Sequence, residues 1–353
     1  MQAYNWRSIE SAMTMTLMIG RCALAGACLL ATGAMAGSAS IARESSAASA
    51  TVAATSVPAT PKPPTRKDLT KVAPERIAVL DWTIAETMAA MGIFPAAIAE
   101  KNSYEVWSRS PAMPAATLDL GMRAQPNPDR MIRLAPDLIL ASQDYAFVKG
   151  MLERIGPTTL LDVYTPGQDI YQNLSELATR IGQITGYPDK AAKYIAQIDS
   201  NLDTLNRQLV QHRGQPVAVI QFIDARNVRV YGKPSIFSTA LEKIGINNAW
   251  KAAVNQWGFQ SADLTHLATL PQDTTIFIIE PYPADLPKKL QENVLWQALP
   301  AVRKNRIVLV KPTWTLGGLS TVLRFAHAVR DALLAQDSPA HAQAAFRFPE
   351  YNK

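Results

Sequence analysis

Downstream of Glu75 the chain alternates short apolar runs with longer stretches whose apolar positions recur every three or four residues. That order predicts buried strands followed by amphipathic helices. Ile77-Ala78-Val79-Leu80 reads as a buried strand bounded by Asp81, and Thr83-Ile84-Ala85-Glu86 has the form of a capping box that starts a helix running through Met91 to a stop at Gly92. The unit repeats with short strands over 116–120 and 137–141, a helix opening at Asn127-Pro128, and a helix from Asp169 to Thr185 closed by Gly186. Pro188 then opens a helix to His212, with Ala191, Ile195, Ile198, Leu202, Leu205 and Leu209 on one stripe. Its length would be about 38 Å at ~1.5 Å per residue. After Gly214 the alternation resumes, with strands over 216–223, 228–231, 274–280 and 307–311 and helices over 235–244 and 318–334. The predicted fold class is α/β: two lobes with mainly parallel sheets, joined by one long helix.

The first 36 residues break this pattern. Arg7 and Arg21 precede an uncharged stretch from Cys22 to Ala36 that ends in Ala34-Met35-Ala36, the order of a secretory signal peptide. The stretch is shorter than the ~20 residues that span a bilayer. Leu24-Ala25-Gly26-Ala27-Cys28 loosely resembles a lipid-attachment site, although Leu29-Leu30 continue the apolar run beyond the cysteine. Between Gly37 and Ala73, 24 of 37 residues are Ala, Ser, Thr or Pro and none is aromatic, which reads as a flexible linker. The expected organisation is a signal peptide (1–36), linker (37–73), first lobe (74–187), connecting helix (188–213), second lobe (214–335) and a frayed tail (336–353). A periplasmic location is expected.

Composition narrows the chemistry. The net charge of +6 balances 35 basic against 29 acidic residues without a basic block, so no nucleic acid is expected as a partner. Both cysteines, Cys22 and Cys28, lie in the leader, so a processed chain has no thiol chemistry. The chain has no G-x-S-x-G, P-loop or dinucleotide fingerprint, and its four histidines show no metal-ligand spacing. No catalytic activity and no metal site of its own are therefore expected; a secreted hydrolase or transferase is the competing class. The residues that stand out are Arg123 and Tyr145, each placed after a strand where open α/β sheets gather ligands, and the tryptophans Trp107, Trp250, Trp257 and Trp314 in loop-like stretches.

These residues resemble the periplasmic ferric hydroxamate-binding proteins that feed ATP-driven siderophore importers. The resemblance spans roughly Glu75 to Leu334. It rests on Leu118-Asp119-Leu120-Gly121-Met122-Arg123 with Pro126-Asn127, on Asn248-Ala249-Trp250 and Asn255-Gln256-Trp257-Gly258, and on Leu295-Trp296-Gln297-Ala298-Leu299-Pro300 running on to Trp314. It implies the class III periplasmic-binding-protein fold, two lobes on one rigid helix with ligand in a shallow cleft between them, little lobe movement, and a monomer.

Carried over by residue, the resemblance implies that Arg123 and Tyr145 hydrogen-bond the iron-ligating hydroxamate oxygens while Trp107, Trp250, Trp257 and Trp314 form walls. Iron would be held by the siderophore, with no cofactor. Leu316 and Ala141 stand where the family pattern has aromatics, and Tyr282 is a candidate replacement wall. An inner-membrane permease with its ATPase is the implied protein partner, docked through an acidic residue on each lobe. Glu86 matches the first-lobe position; Thr239 occupies the second, with Glu242 the nearest carboxylate. Other ligands compatible with the fold are a ferric catecholate, which Arg226, Arg229 and Lys233 would favour if they lined the cleft, haem or a corrinoid.

Overall fold

The computed structural model describes residues 73–337 together with Phe346 and Phe348. The expected signal peptide, the lipid-attachment alternative and nearly all of the linker lie outside the described residues. The first lobe is a five-stranded parallel sheet in the order β3-β2-β1-β4-β5, formed by β1 (Ile77–Val79), β2 (Ala97–Ile98), β3 (Leu118–Asp119), β4 (Leu138–Ser142) and β5 (Thr158–Leu161). The central strands β1 and β4 are buried throughout, as expected for a parallel sheet covered on both faces. Helices α1 (Trp82–Ala90), α2 (Lys101–Trp107), α3 (Pro128–Leu134) and α4 (Ile170–Thr185) connect or cover its strands.

Helix starts follow from local side-chain chemistry. Asn127 caps α3 through the Arg130 N–H (3.0 Å), and Asp169 caps α4 through the Gln172 N–H (2.8 Å). The capping box at Thr83 is not formed. Asp81 is the cap of α1 and accepts from the N–H groups of Thr83 (2.8 Å) and Ile84 (3.2 Å), so the helix starts at Trp82 and Glu86 is released from any capping role. An aspartate directly after a strand reaches the first free N–H groups before a threonine two positions later can.

The connecting helix α5 (Pro188–Gln208) is a few residues shorter than expected, because its last turn tightens into a 3-10 turn over Val210–His212. It still spans about 31 Å at ~1.5 Å per residue. Its buried face carries Ala191, Tyr194, Ile198, Leu202 and Leu205 and packs on α4 and on α7 (Leu319–Gln336). The second-lobe sheet is mixed. β6 (Pro216–Phe222), β10 (Thr275–Ile279) and β11 (Ile307–Val310) are parallel, but β7 (Asn227–Tyr231) returns antiparallel to β6 and pairs antiparallel with β9 (Phe259–Asp263). The short β8 (Asn247–Asn248) adds to β6, and α6 (Ile236–Lys243) follows β7. The reading of the C-terminus as a frayed tail fails at two residues. Phe346 and Phe348 pack against the second-lobe core, with Phe348 edge-on to Tyr282 at 5.3 Å.

Candidate functional site

The carboxyl ends of the first-lobe strands bring one row of side chains together. Asp81 follows β1, Glu100 follows β2, Arg123 follows β3, and Asp144-Tyr145 follow β4 in a 3-10 turn over Gln143–Val148. Arg123 is the centre of the row. Its Nε donates to Glu100 Oε2 at 3.0 Å, and its backbone N–H donates to Glu100 Oε1 at 3.1 Å. Its guanidinium carbon lies over the Trp82 ring, 4.0 Å from the centroid, and 5.4 Å from that of Trp314. The two indoles meet edge to face at 4.8 Å. Both terminal nitrogens of Arg123 donate to none of the described residues. They remain as a pair of donors on a side chain already fixed in place.

The electrostatics suit that role. Burial opposes the charge of Arg123, but Tyr145, Glu100 and Asp81 together outweigh it and hold the guanidinium protonated beyond its ordinary range. Burial also pushes the Tyr145 phenol above its usual pKa, against the pull of Arg123, so its hydroxyl is neutral and can donate or accept. Asp144 is raised by burial and by neighbouring Asp81. Phe147 stands beside Tyr145 and is 58% exposed, an apolar side chain at the rim.

Arg123, Tyr145 and Trp314 are thus brought together. Trp82 was not singled out from the sequence, although its place directly after Asp81 at a strand end was the available signal. The remaining aromatic candidates separate. Trp107 is not in a loop: it ends α2 and is 8% exposed, buried in the first lobe rather than forming a cleft wall. Trp250 is 7% exposed within the second-lobe core, and Tyr282, at 4%, is also in that core under Phe348, so neither serves as an open wall. Trp257 is half-buried on the turn before β9, where its N–H is held by Asn255 Oδ1 at 3.0 Å.

The charged candidates also resolve. Glu86 cannot meet a permease: it is fully buried, and its Oε1 accepts from Ser320 Oγ (2.5 Å) and Thr321 Oγ1 (2.6 Å). Glu242 is exposed on α6 and pairs with Lys233 at 2.9 Å. Arg226 is exposed in the β6–β7 turn, and Arg229 lies over the Phe259 ring at 5.0 Å.

Comparisons with known proteins place this geometry. The family profile described as periplasmic binding protein matches residues 77–313. The iron(3+)-hydroxamate-binding protein FhuD of Escherichia coli is 26% identical over 262 residues, covering 74% of this chain and 88% of the relative. Among solved structures, the Fe3+-Desferal-bound siderophore-binding protein FhuD from Vibrio cholerae superposes with a TM-score of 0.69 at 27% identity, over 74% of this chain and 98% of that one. The triscatecholate siderophore-binding protein FeuA from Bacillus subtilis shares the fold, with a TM-score of 0.57 at 20% identity, over 73% of this chain and 92% of that one. A profile match across both lobes and the connecting helix settles the family: this chain belongs to the periplasmic binding proteins.

Proposed function

We propose that the chain is the substrate-binding component of an ATP-driven importer and captures a ferric hydroxamate siderophore between its lobes. The observation that carries this reading is Arg123, stacked on Trp82, tied at Nε by Glu100, and left with two terminal donors beside the neutral hydroxyl of Tyr145. Three hydroxamates neutralise Fe(III), so the ligand presents acceptor oxygens on a nearly uncharged, largely apolar body. One guanidinium with aromatic neighbours matches it. A ferric tris-catecholate, with about three negative charges, calls for convergent cations; here Glu100 and Asp81 act on Arg123 as opposite charges, and Lys233 is answered by Glu242. The family is one of binding proteins, so the hydrolase or transferase alternative falls away. Delivery in the periplasm, as a monomer, completes the proposal.

Intrinsic tryptophan emission tests it. Trp314 and Trp82 lie at the site, so ferric ferrichrome or ferrioxamine should quench fluorescence saturably and a ferric tris-catecholate should not. Quenching by the catecholate alone overturns the hydroxamate assignment. Docking has its own test. Glu242 is exposed, and its surface pair with Lys233 is worth at most about 1 kcal/mol, so Glu242→Arg should leave the fold and siderophore affinity intact. If Glu242 meets a permease cation, siderophore-dependent iron uptake by cells carrying that variant should fall by about tenfold or more. Unchanged uptake places the docking surface elsewhere.

A further inference from the structure

Glu86 has no part in capping and none in docking, yet it is a fully buried carboxylate held by two hydroxyls from the other lobe. Its surroundings explain why. Trp82 and Glu86 are four residues apart on α1 and so share a face, with Thr83 and Thr87 beside them. That face receives the segment 314–321 of the second lobe position by position. Trp314 meets Trp82, the Thr83 hydroxyl donates to the Leu316 carbonyl, and Ser320 and Thr321 donate to Glu86. From the flank, Tyr164 donates to the Gly317 carbonyl at 2.6 Å. Arg324, one turn further along α7, donates to Thr321 Oγ1 at 2.9 Å and to the first-lobe carbonyl of Ser110. The approach is tight: a Cβ on Gly317 would sit 2.4 Å from Thr321 Oγ1 and 2.9 Å from Glu86 Oε2.

We propose that Glu86 is the positioning residue that holds Trp314 against Trp82 and Arg123, acting through the first turn of α7. A carboxylate suits this place because it accepts from both hydroxyls at once and lies at the positive end of an 18-residue helix. The loop between β11 and α7 is anchored to the second-lobe sheet at one end and to Glu86 at the other, so the indole of Trp314 has its position set from both sides. The second lobe thereby contributes its site aromatic on a mount built by the first. The consequence for affinity rests on the proposed ligand site at Arg123; the consequence for Trp314 does not.

The test uses the folded protein labelled with 5-fluorotryptophan, with the Trp314 fluorine resonance assigned by Trp314→Phe. Glu86→Gln keeps an acceptor oxygen and should leave the resonance in place, with ferrichrome or ferrioxamine affinity within about threefold of wild type. Glu86→Ala should shift or broaden the Trp314 resonance and weaken binding by about tenfold or more. Thr321→Val removes one donor with little change in shape and should move the same resonance by a smaller amount, which keeps the question decidable if Glu86→Ala does not fold. An unmoved Trp314 resonance in Thr321→Val, together with wild-type affinity in any folded Glu86→Ala, overturns the proposal. If the wild type binds no ferric hydroxamate, the functional reading fails while the fluorine shift still decides the role of Glu86.

Discussion

Arg123→Ala should weaken capture of a ferric hydroxamate by about 1.5–3 kcal/mol, roughly 10- to 150-fold in Kd. The magnitude follows from removing a charged donor that is already immobilised. Its Nε is held by Glu100 and its guanidinium carbon sits over the Trp82 ring, so ordering the guanidinium costs little when ligand arrives. The stability cost should be smaller, because the partially exposed Glu100 left behind can turn to water. A loss of about 1 kcal/mol corresponds to roughly 2–4 °C in Tm for a chain of this size. Arg123→Lys separates charge from shape. It restores a cation but not the planar guanidinium with its paired donors, so affinity should recover only in part. Titration calorimetry beside thermal melts reads both. If Arg123→Ala melts far below wild type while its folded fraction binds normally, Arg123 is scaffold and the site lies elsewhere.

Much of the fold was legible because its punctuation is local. Asn127-Pro128, Asp169, Gly186 and Pro188 mark helix ends through groups a few residues apart, and the buried strands β1, β4, β6 and β10 are mostly apolar runs. β9 was missed because Phe259-Gln260-Ser261-Ala262-Asp263 is mostly polar, as befits the sheet edge it occupies. β2 and β8, two residues each, are too short to show a period. The site divides in the same way. Arg123 and Tyr145 could be placed from strand ends alone, since position after a strand is a local property. The pairing of Trp82 with Trp314 and of Glu86 with Ser320 and Thr321 could not, because both join α1 to residues in the other lobe, and hydropathy along one chain carries no record of that pairing. Thr83-x-x-Glu86 satisfied a local rule whose residues were engaged elsewhere. Tyr282 misled for a related reason: Phe348, which covers it, lies in a stretch without any period.

Gly258→Ala should be among the most destabilising single-methyl additions in the molecule, costing about 3 kcal/mol or more and lowering Tm by roughly 6–12 °C. Gly258 adopts φ +78°, where a side chain already costs about 1–2 kcal/mol. The larger effect is steric, since a Cβ there would lie 1.7 Å from the Pro234 carbonyl oxygen and 2.6 Å from Ser235 Cβ. Neither side can yield freely. Ser235 caps α6 by accepting from the Ser238 N–H at 3.1 Å, and the Gly258 carbonyl accepts from Gly232 at 3.0 Å to close the β7–β9 ladder. Relief therefore breaks either a helix cap or the ladder end, and it displaces Trp257, the remaining half-exposed candidate wall of the second lobe. Gly92→Ala is the matched control: φ is +68° there too, but nothing lies within 4 Å of the added methyl, so only the backbone cost applies. Equal melting temperatures for the two variants would mean that the turn carrying Trp257 does not press on Pro234. A large gap, accompanied by weaker quenching in the surviving folded Gly258→Ala protein, would tie the same close contact to the position of Trp257 at the cleft.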